Sequence, residues 1–280
     1  MPLSVYFDTN IFNRIDDGEI SGEEAAGLRA GLRDGRLTAR LSLTNLEELV
    51  GRWDDDRNAV ARKLRIARDF VGFHGVLKEA DELLAESVRA YADGGAQPSP
   101  ELPEGERRRM VHVFGDTANH SVRYAEQLSG IVKDVREQKE AVRASLMASY
   151  GHAEQALNPS ALRRSGFENY WSGGAPAEWA GIFAARFGLR EACDAHGLIG
   201  LVQVRPMRLA VLWWMSLIFT QVANARKPEI GDAYDFYPAI LASTAEVSLT
   251  CDQRFAKHLS AVPTDGFRVA RSVPDLLALC

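Results

Sequence analysis

The chain has 280 residues, of which 46% are hydrophobic and 25% charged, as in ordinary soluble globular proteins. Its three cysteines are too few and too scattered for a disulfide framework, and none lies in a CxxC pair, which argues against a zinc site. The formal net charge of −5 argues against a protein that binds nucleic acid through an overall basic surface, and the cysteine content favours a reducing, cytoplasmic setting.

Two segments bear on targeting and membranes. The N-terminus has neither a basic region nor a long apolar run, so we expect no signal peptide. The apolar run at 209–225 is shorter than the roughly 20 residues that a membrane span needs, and its last third carries polar residues. We therefore expect a buried core helix and no membrane contact.

The opening of the chain alternates strand-like and helix-like patterns. Residues 3–7 are apolar and β-prone, which predicts a buried strand, and a helix is expected over 9–15 with Asp8 or Thr9 near its cap. A second helix is expected from Ser21 to Gly35.

Residues 37–43 alternate apolar and polar side chains, as a second strand does, and the helix after it is expected to be capped at Thr44–Asn45. Strand and helix in alternation predict a parallel sheet covered by helices, with right-handed crossovers.

The middle of the chain, residues 54–205, is rich in Ala, Leu, Arg and Glu and has few strand-like runs. It is interpreted as an all-helical insertion between two parts of an α/β core at 1–53 and 206–280. Within it we expect helices over 58–91, 106–150 and 177–195, a loop at 93–105 and irregular chain at 151–174.

The core is expected to resume with the apolar helix. A loop at 227–231 and a helix from 232 to 242, broken near Pro238, follow. The last elements expected are strands at 247–250 and 267–270 and helices at 253–259 and 273–279.

Acidic residues stand at the ends of these predicted elements. Asp8 closes the first strand, Asp252 closes the strand at 247–250, and Glu48 lies in the helix after the second strand. Asp232 and Asp235 are spaced i, i+3 and so share one helix face. Because ligands collect beyond the carboxyl ends of parallel strands, the fold could bring four or five of these carboxylates together.

Crowded carboxylates repel each other and require protons or metal ions as compensation. Oxygen ligands favour Mg²⁺ or Mn²⁺, and such ions support phosphodiester hydrolysis. Taken singly, each acid has a more ordinary interpretation. Asp8 and Asp252 suit helix caps or turns, Glu48 a surface helix, and Asp232 and Asp235 a first helical turn.

Four segments, VYFDTNIF, SLTNLEELVG, GDAYDFYPAILASTA and VSLTCDQRF, together resemble the PIN domain family over about residues 3–53 and 208–273. The resemblance implies a parallel-sheet, three-layer α/β core that carries the helical insertion. It also implies that the metal-site acids are Asp8, Glu48, Asp235 and Asp252. Thr9 and Asn10 would steady the first Asp, and Thr250 would be the hydroxyl beside the last.

The resemblance further implies an endoribonuclease that depends on Mg²⁺ or Mn²⁺ and has a toxin, RNA-processing or defence role, with a possible antitoxin protein or homodimer as partner. Glu47 could replace Glu48, and Asp232 could replace or join Asp235. Trp213 and Trp214 are expected in the core, with a subunit interface as the alternative. The histidines show no metal-ligand spacing.

Two other functions stay open at this stage. A DNA nuclease of the same fold would have the same acids, and a non-catalytic binding or assembly module would suit the insertion and the negative charge. A phosphatase with Asp8 as nucleophile is disfavoured, because Asn10 stands where a second Asp would be needed.

Overall fold

The computed structural model describes residues 2–72, 75–226, 231–232, 235–261 and 267–280. The chain is an α/β protein with a five-stranded parallel sheet and an extensive helical region. The strand order is β3-β2-β1-β4-β5. The strands are β1 (Leu3–Phe7), β2 (Leu37–Ser42), β3 (Val76–Leu77), β4 (Val247–Leu249) and β5 (Arg268–Ala270).

β1 is the central strand, and it pairs with β2 on one side and β4 on the other. Val5 lies opposite Ala39 in β2 and opposite Val247 in β4. Each pairing continues outward, to β3 from β2 and to β5 from β4. The order of the strands along the chain therefore reverses between β1 and β4, and a crevice is expected beyond the carboxyl ends of these two strands.

The sheet has apolar side chains on both faces. Val5 and Phe7 belong to one hydrophobic cluster and Tyr6 to another, as the alternation of side chains along a strand requires. All three are fully buried. Burial on both sides explains why the first strand is a continuous apolar run.

The described helices before residue 93 are α1 (Thr9–Asp16), α2 (Gly22–Arg33), α3 (Leu43–Val50), α4 (Arg57–Val71) and α5 (Ala80–Ala92). The predicted cap of α2 is confirmed, since the Ser21 side chain accepts from the Glu24 backbone N–H in a capping box. The predicted cap of α3 at Thr44–Asn45 is wrong. Ser42 caps this helix, and Asn45 completes the capping box in the position where Glu or Gln is usual.

The single helix predicted over 58–91 is also wrong. Gly72 ends α4 in the left-handed conformation, with φ of 67°. After it comes β3, in which Val76 pairs with Leu41 of β2. A strand of two residues has no periodicity to detect, so the sequence pattern missed it. The sheet thus extends into the segment interpreted as the insertion.

The remaining helices are α6 (Glu104–Ala118), α7 (Ala125–Ala156), α8 (Pro159–Trp171), α9 (Ala175–Arg186), α10 (Arg190–His196), α11 (Leu198–Gln203), α12 (Arg205–Ala223), α13 (Phe236–Ala242), α14 (Gln253–Ala261) and α15 (Val273–Leu277). The segment 151–174, expected to be irregular, is mostly helical. Asn158 caps α8 and Pro159 occupies its first turn, where proline is tolerated.

Two expectations concern the segment before α13. The helix predicted over 232–242 is interrupted near Pro238, as expected: residues 231–232 are helical, Asp235 lies in a turn and α13 begins at Phe236. Pro238 itself lies in the first turn of α13, where its missing N–H costs nothing. The loop expected at 227–231 lies outside the described residues, except for Gly231.

Helix α12 is the apolar helix of the sequence analysis. It is long and apolar enough to cross a membrane, but 78% of its apolar window is buried within the protein. Trp213 and Trp214 are 0% and 5% exposed, so both are core residues and the subunit-interface alternative for them is wrong. The three cysteines, all among the described residues, are free thiols, as expected.

Candidate functional site

The carboxyl ends of β1 and β4 bring Asp8 and Thr250 together. Asp8 follows β1 directly and its backbone N–H donates to the Leu249 carbonyl at 3.1 Å. Its side chain is not used as a cap for α1. Instead the Thr250 hydroxyl donates to Asp8 Oδ2 at 2.6 Å. Asp8 is therefore the N-cap residue of α1 by position, as expected, but its carboxylate is held by Thr250 and makes no cap hydrogen bond.

Asn10 connects the two strand ends. Its amide nitrogen donates both to Asp8 Oδ2 and to Thr250 Oγ1, and its amide oxygen accepts from the Cys251 backbone N–H at 3.1 Å. This amide thus holds the Asp8 carboxylate and the chain after β4 in one hydrogen-bonded arrangement. Asn10 thus occupies the place that the sequence resemblance implied for it.

Thr9 has a different contact from the one expected. Its hydroxyl donates to Glu48 Oε2 at 2.7 Å and accepts from the Asn45 amide at 2.8 Å. The Asn45 amide oxygen accepts from the Ser42 backbone N–H and hydroxyl. A buried chain of hydrogen bonds therefore runs from the cap of α3 to the Glu48 carboxylate. Sequence analysis did not select Asn45 as a site residue, because its position before a helix indicated only a capping role.

Lys139 of α7 pairs with Glu48. The ammonium nitrogen lies 3.1 Å from Glu48 Oε1, and the two side chains are 22% and 16% exposed. Sequence reasoning missed this lysine, because one Lys among many charged residues of a long helix carries no distinguishing signal.

Glu47 lies in a different environment from its neighbour Glu48. Burial, followed by the negative charges of Glu79, Glu48 and Asp134, raises the pKa of Glu47 to about 8, and Lys139 opposes the shift. Apart from Glu48, the charges that act on Glu47 thus belong to α7 and to the residue before α5. Glu48, rather than Glu47, contacts Thr9 and adds to the negative field at Asp8.

Asp232 and Asp235 both contact Arg254, but their other surroundings differ. Asp232 is 4% exposed, accepts from the Gln221 amide at 3.0 Å, and lies 3.0 Å from an Arg254 guanidinium nitrogen. Asp235 lies 3.6 Å from another nitrogen of Arg254. The negative charge of Asp8 acts on Asp235, so Asp235 faces the site. Arg254 stands in the quoted motif TCDQRF, but nothing in that pattern predicted its two partners.

Asp252 caps α14. Its Oδ1 accepts from the backbone N–H groups of Arg254 and Phe255, at 2.8 and 2.9 Å. The interpretation of Asp252 as a helix cap is therefore confirmed, with Oδ1 as the capping atom. Asp252 also adds to the negative field at Asp8 and Asp235.

The acids perturb each other strongly. Burial, the charge of Glu48 and that of Asp252 raise the pKa of Asp8 to about 7, against the lowering effect of the Thr250 hydrogen bond. Burial and the charge of Asp8 raise the pKa of Asp235 to about 8 although Arg254 opposes the shift. The four acids thus form one electrostatically coupled cluster, here called the acid cluster: Asp8, Glu48, Asp235 and Asp252.

The donor set of the acid cluster consists of carboxylate oxygens, which suits a hard divalent cation. The carboxylates of the acid cluster are not arranged as a preformed metal-coordination site. Within the described part of the chain, no group of three or more His, Cys, Asp or Glu side chains is arranged to hold a metal ion. Two cationic side chains contact the cluster at its edge: Lys139 pairs with Glu48, and Arg254 with Asp235.

The chain was compared with protein-family models, with curated proteins and with solved structures, and none matches. What the structure establishes is therefore the α/β fold with its five parallel strands in the order 3-2-1-4-5.

Proposed function

We propose that this protein is a nuclease that hydrolyses phosphodiester bonds with the help of Mg²⁺ or Mn²⁺, as the PIN domains that its motifs resemble do. The observation that carries the proposal is the gathering of buried, mutually perturbed carboxylates at the carboxyl ends of β1 and β4. Burial, followed by the charges of neighbouring acids, raises the pKa of Asp8 to about 7 and that of Asp235 to about 8, although the Thr250 hydrogen bond and Arg254 oppose these shifts. Carboxylates arranged in this way at a cleft are typical of functional sites.

In this proposal the acid cluster holds the ion through its carboxylate oxygens. When bound, a divalent ion supplies Lewis-acid stabilisation of phosphate charge and lowers the pKa of water. Ion binding would displace the protons that the free cluster holds, so it is expected to release protons and to be stronger at higher pH.

The other residues of the site position the acids. Thr250 and Asn10 fix the Asp8 carboxylate, and the Thr9 hydroxyl fixes that of Glu48. Such outer partners set the orientation of metal ligands. Lys139 and Arg254 provide positive charge for a substrate phosphate at the rim. In the net reaction water adds to phosphorus and the bond to the 3′ oxygen breaks, leaving a 5′-phosphate and a 3′-hydroxyl.

RNA is the proposed substrate on the strength of the resemblance, since the acids themselves would serve RNA and DNA alike. A toxin, RNA-processing or defence role in the cytoplasm, with an antitoxin or a homodimer as partner, belongs to the same proposal.

A second candidate function is a non-catalytic module of the same fold. It is favoured by the lack of a preformed metal cage among the described residues and by the pairing of Glu48 with Lys139. Such a module would bind neither Mn²⁺ nor a scissile phosphate at the acid cluster.

Cleavage assays test the proposal. The purified protein is incubated with single-stranded RNA, single-stranded DNA and duplex DNA, with Mn²⁺ or with a chelator. We expect Mn²⁺-dependent cleavage of RNA that falls more than about a hundredfold in Asp8→Asn, because loss of outer partners alone commonly costs 10- to 100-fold. Asp34→Asn is the matched control, because Asp34 is exposed and precedes β2 at the opposite end of the sheet.

Three results would count against the proposal. Equal cleavage by Asp8→Asn would show that the acid cluster is not the site. Cleavage of DNA alone would replace RNA by DNA as substrate. The absence of cleavage, together with the absence of Mn²⁺ binding, would favour the non-catalytic module.

A further inference from the structure

A cavity of about 310 Å³ lies beside the acid cluster, and none of the residues proposed for metal binding lines it. Its volume is at the lower end of the range of small-molecule sites. Two elements connect it to the acids through consecutive residues. Asp235 belongs to the cluster and the next residue, Phe236, lines the cavity. On α7, Lys139 pairs with Glu48 and its neighbour Gln138 lines the cavity.

The inner walls of the cavity are aromatic. Phe183 and Phe236 are stacked, with ring centroids 5.9 Å apart, and Trp214 meets Phe236 edge-on at 5.0 Å. All three side chains are nearly fully buried behind the surface they present to the cavity, whereas Trp179, also on the wall, is only partly buried. Flat apolar walls of this kind suit a planar ring, which they can contact by its face or its edge.

Polar groups stand at the edge of the cavity. Asp81 Oδ2 accepts from the Tyr237 hydroxyl at 3.1 Å and from an Arg186 guanidinium nitrogen at 2.7 Å. Helix α7 adds the Gln138 amide and the Ser145 hydroxyl to the lining. Hydrogen-bond donors and acceptors therefore occur together at the edge of this aromatic-lined cavity. The other oxygen of the Asp81 carboxylate, Oδ1, is buried without a hydrogen-bond partner among the described residues. A lipid chain or another purely apolar ligand would leave it so and would also bury the Gln138 and Ser145 side chains, at a cost in free energy.

We propose that this cavity binds a nucleobase of the single-stranded substrate, next to the phosphate that would be bound by the ion at the acid cluster. A nucleobase has apolar faces for the aromatic walls and an edge with donors and acceptors for the polar groups. The inference rests on the proposed nuclease function. It adds that the substrate must be single-stranded, or have an extruded base, because a paired and stacked base cannot enter a cavity.

Binding measured without metal ions tests the base site separately from cleavage. The probe is a short single-stranded oligoribonucleotide with one fluorescent 2-aminopurine, in the presence of a chelator. The comparison strand is identical but abasic at that position. We expect the 2-aminopurine fluorescence to fall on binding and the abasic strand to bind about tenfold more weakly, the effect of losing one stacked base.

Variants on α7 locate the binding. Ser145 is exposed and lies on the cavity wall, so Ser145→Phe fills the cavity without disturbing the core, and it should weaken binding of the 2-aminopurine strand about tenfold. Ala144→Phe adds the same ring at the adjacent exposed position, which does not line the cavity, and should bind normally. Gln138→Leu, which removes an edge group without filling the space, should bind several-fold more weakly.

Equal affinity for the abasic strand, or equal effects of Ser145→Phe and Ala144→Phe, would overturn the base site even if Asp8→Asn abolishes cleavage. Conversely, cavity-dependent base binding in a protein that never cleaves RNA would leave the base site standing and remove the nuclease proposal. Calorimetric binding of N-acetyltryptophanamide but not of adenosine monophosphate would also overturn it, since the cavity would then suit a protein side chain.

Discussion

Lys139 Nζ lies 3.1 Å from Glu48 Oε1, and this ion pair joins the helical region to the acids at the end of the sheet. Helix α7 starts far along the chain from β1, yet its lysine pairs with Glu48 and its charge also acts on Glu47. Because both side chains are mostly buried, the pair is less screened by water and salt than a surface pair. The ammonium supplies part of the compensation that a metal ion would supply.

The replacement Lys139→Met is therefore expected to strengthen Mn²⁺ binding. The change removes a cation that competes with the ion for the same carboxylates while retaining an apolar stem of similar length. We expect a three- to tenfold decrease in the Kd for Mn²⁺, roughly 0.7–1.4 kcal/mol, measured by calorimetric titration. Lys133→Met on the same helix, whose exposed lysine pairs only with Glu137 among the salt bridges of the described residues, should leave the Kd unchanged. Weaker binding in Lys139→Met would contradict this role for the lysine.

Asn45 supports both the cap of α3 and the Thr9 hydroxyl, so its removal should be costly. Asn45→Ala leaves the buried Ser42 backbone N–H without its acceptor and takes one hydrogen bond each from the Ser42 and Thr9 hydroxyls. We expect a loss of about 2–3 kcal/mol in the free energy of unfolding. The matched replacement Ser21→Ala, which removes the exposed cap of α2, should cost about 1 kcal/mol. Urea denaturation measures both. Equal losses would mean that the buried network contributes nothing beyond an ordinary cap.

The metal-free protein should become less stable as the pH rises. The pKa of Asp8 rises from its ordinary 3.8 to about 7 on folding and that of Asp235 to about 8, so the folded state holds protons that the unfolded chain has lost. The stability from these protons is complete below pH 3.8 and is lost progressively up to pH 7 and pH 8. The slope is at most about 1.4 kcal/mol per pH unit for each proton.

Thermal denaturation in a chelating buffer between pH 6.5 and pH 8 checks this expectation. Asp8→Asn and Asp235→Asn should both have a shallower fall in Tm than the wild type, and Asp34→Asn the same fall. A Tm that rises over this range, or is equally steep in all the variants, would show that these carboxyls are not protonated in the folded protein.

Gly75 is expected to be needed for β3 to pair with β2. A Cβ atom at Gly75 would lie 2.8 Å from the backbone oxygen of Ala39, which belongs to β2 and cannot move aside cheaply. Gly75→Ala should therefore cost about 1–3 kcal/mol of the free energy of unfolding.

Gly115 in α6 offers the contrasting change. Its Cβ would meet no neighbouring atom, so Gly115→Ala should stabilise the protein by about 0.5–1 kcal/mol. Chemical denaturation of both variants decides the point. A neutral Gly75→Ala would mean that the close approach of β3 to Ala39 is not required.

Part of this fold could be read from the sequence because the signals are local. The apolar run of β1, the Ser21–Glu24 capping box and the apolar content of α12 each correspond to one feature of the structure. The chain order of strands and helices then indicates a parallel sheet. Positions after strand ends also selected Asp8 and Asp252 as candidates, because a parallel sheet gathers such positions at one edge.

Other features depend on contacts between distant segments, and no local pattern carries them. The two-residue strand β3 exists because of its pairing with β2. Lys139 reaches Glu48 only through the packing of α7 on α3. Arg254 contacts both Asp232 and Asp235 only because the fold brings the three side chains together. The aromatic walls of the cavity come from three separate helices, α9, α12 and α13, and their packing against each other has no local sequence signal.

A calorimetric titration of the metal-free protein with Mn²⁺ tests the central claim most directly, because it requires no knowledge of the nucleic-acid target. We expect saturable binding with release of protons at neutral pH, abolished or weakened more than about a hundredfold in Asp8→Asn and unchanged in Asp34→Asn. Absence of binding in the wild type, or equal binding by Asp8→Asn, would contradict the account of the acid cluster as a metal site.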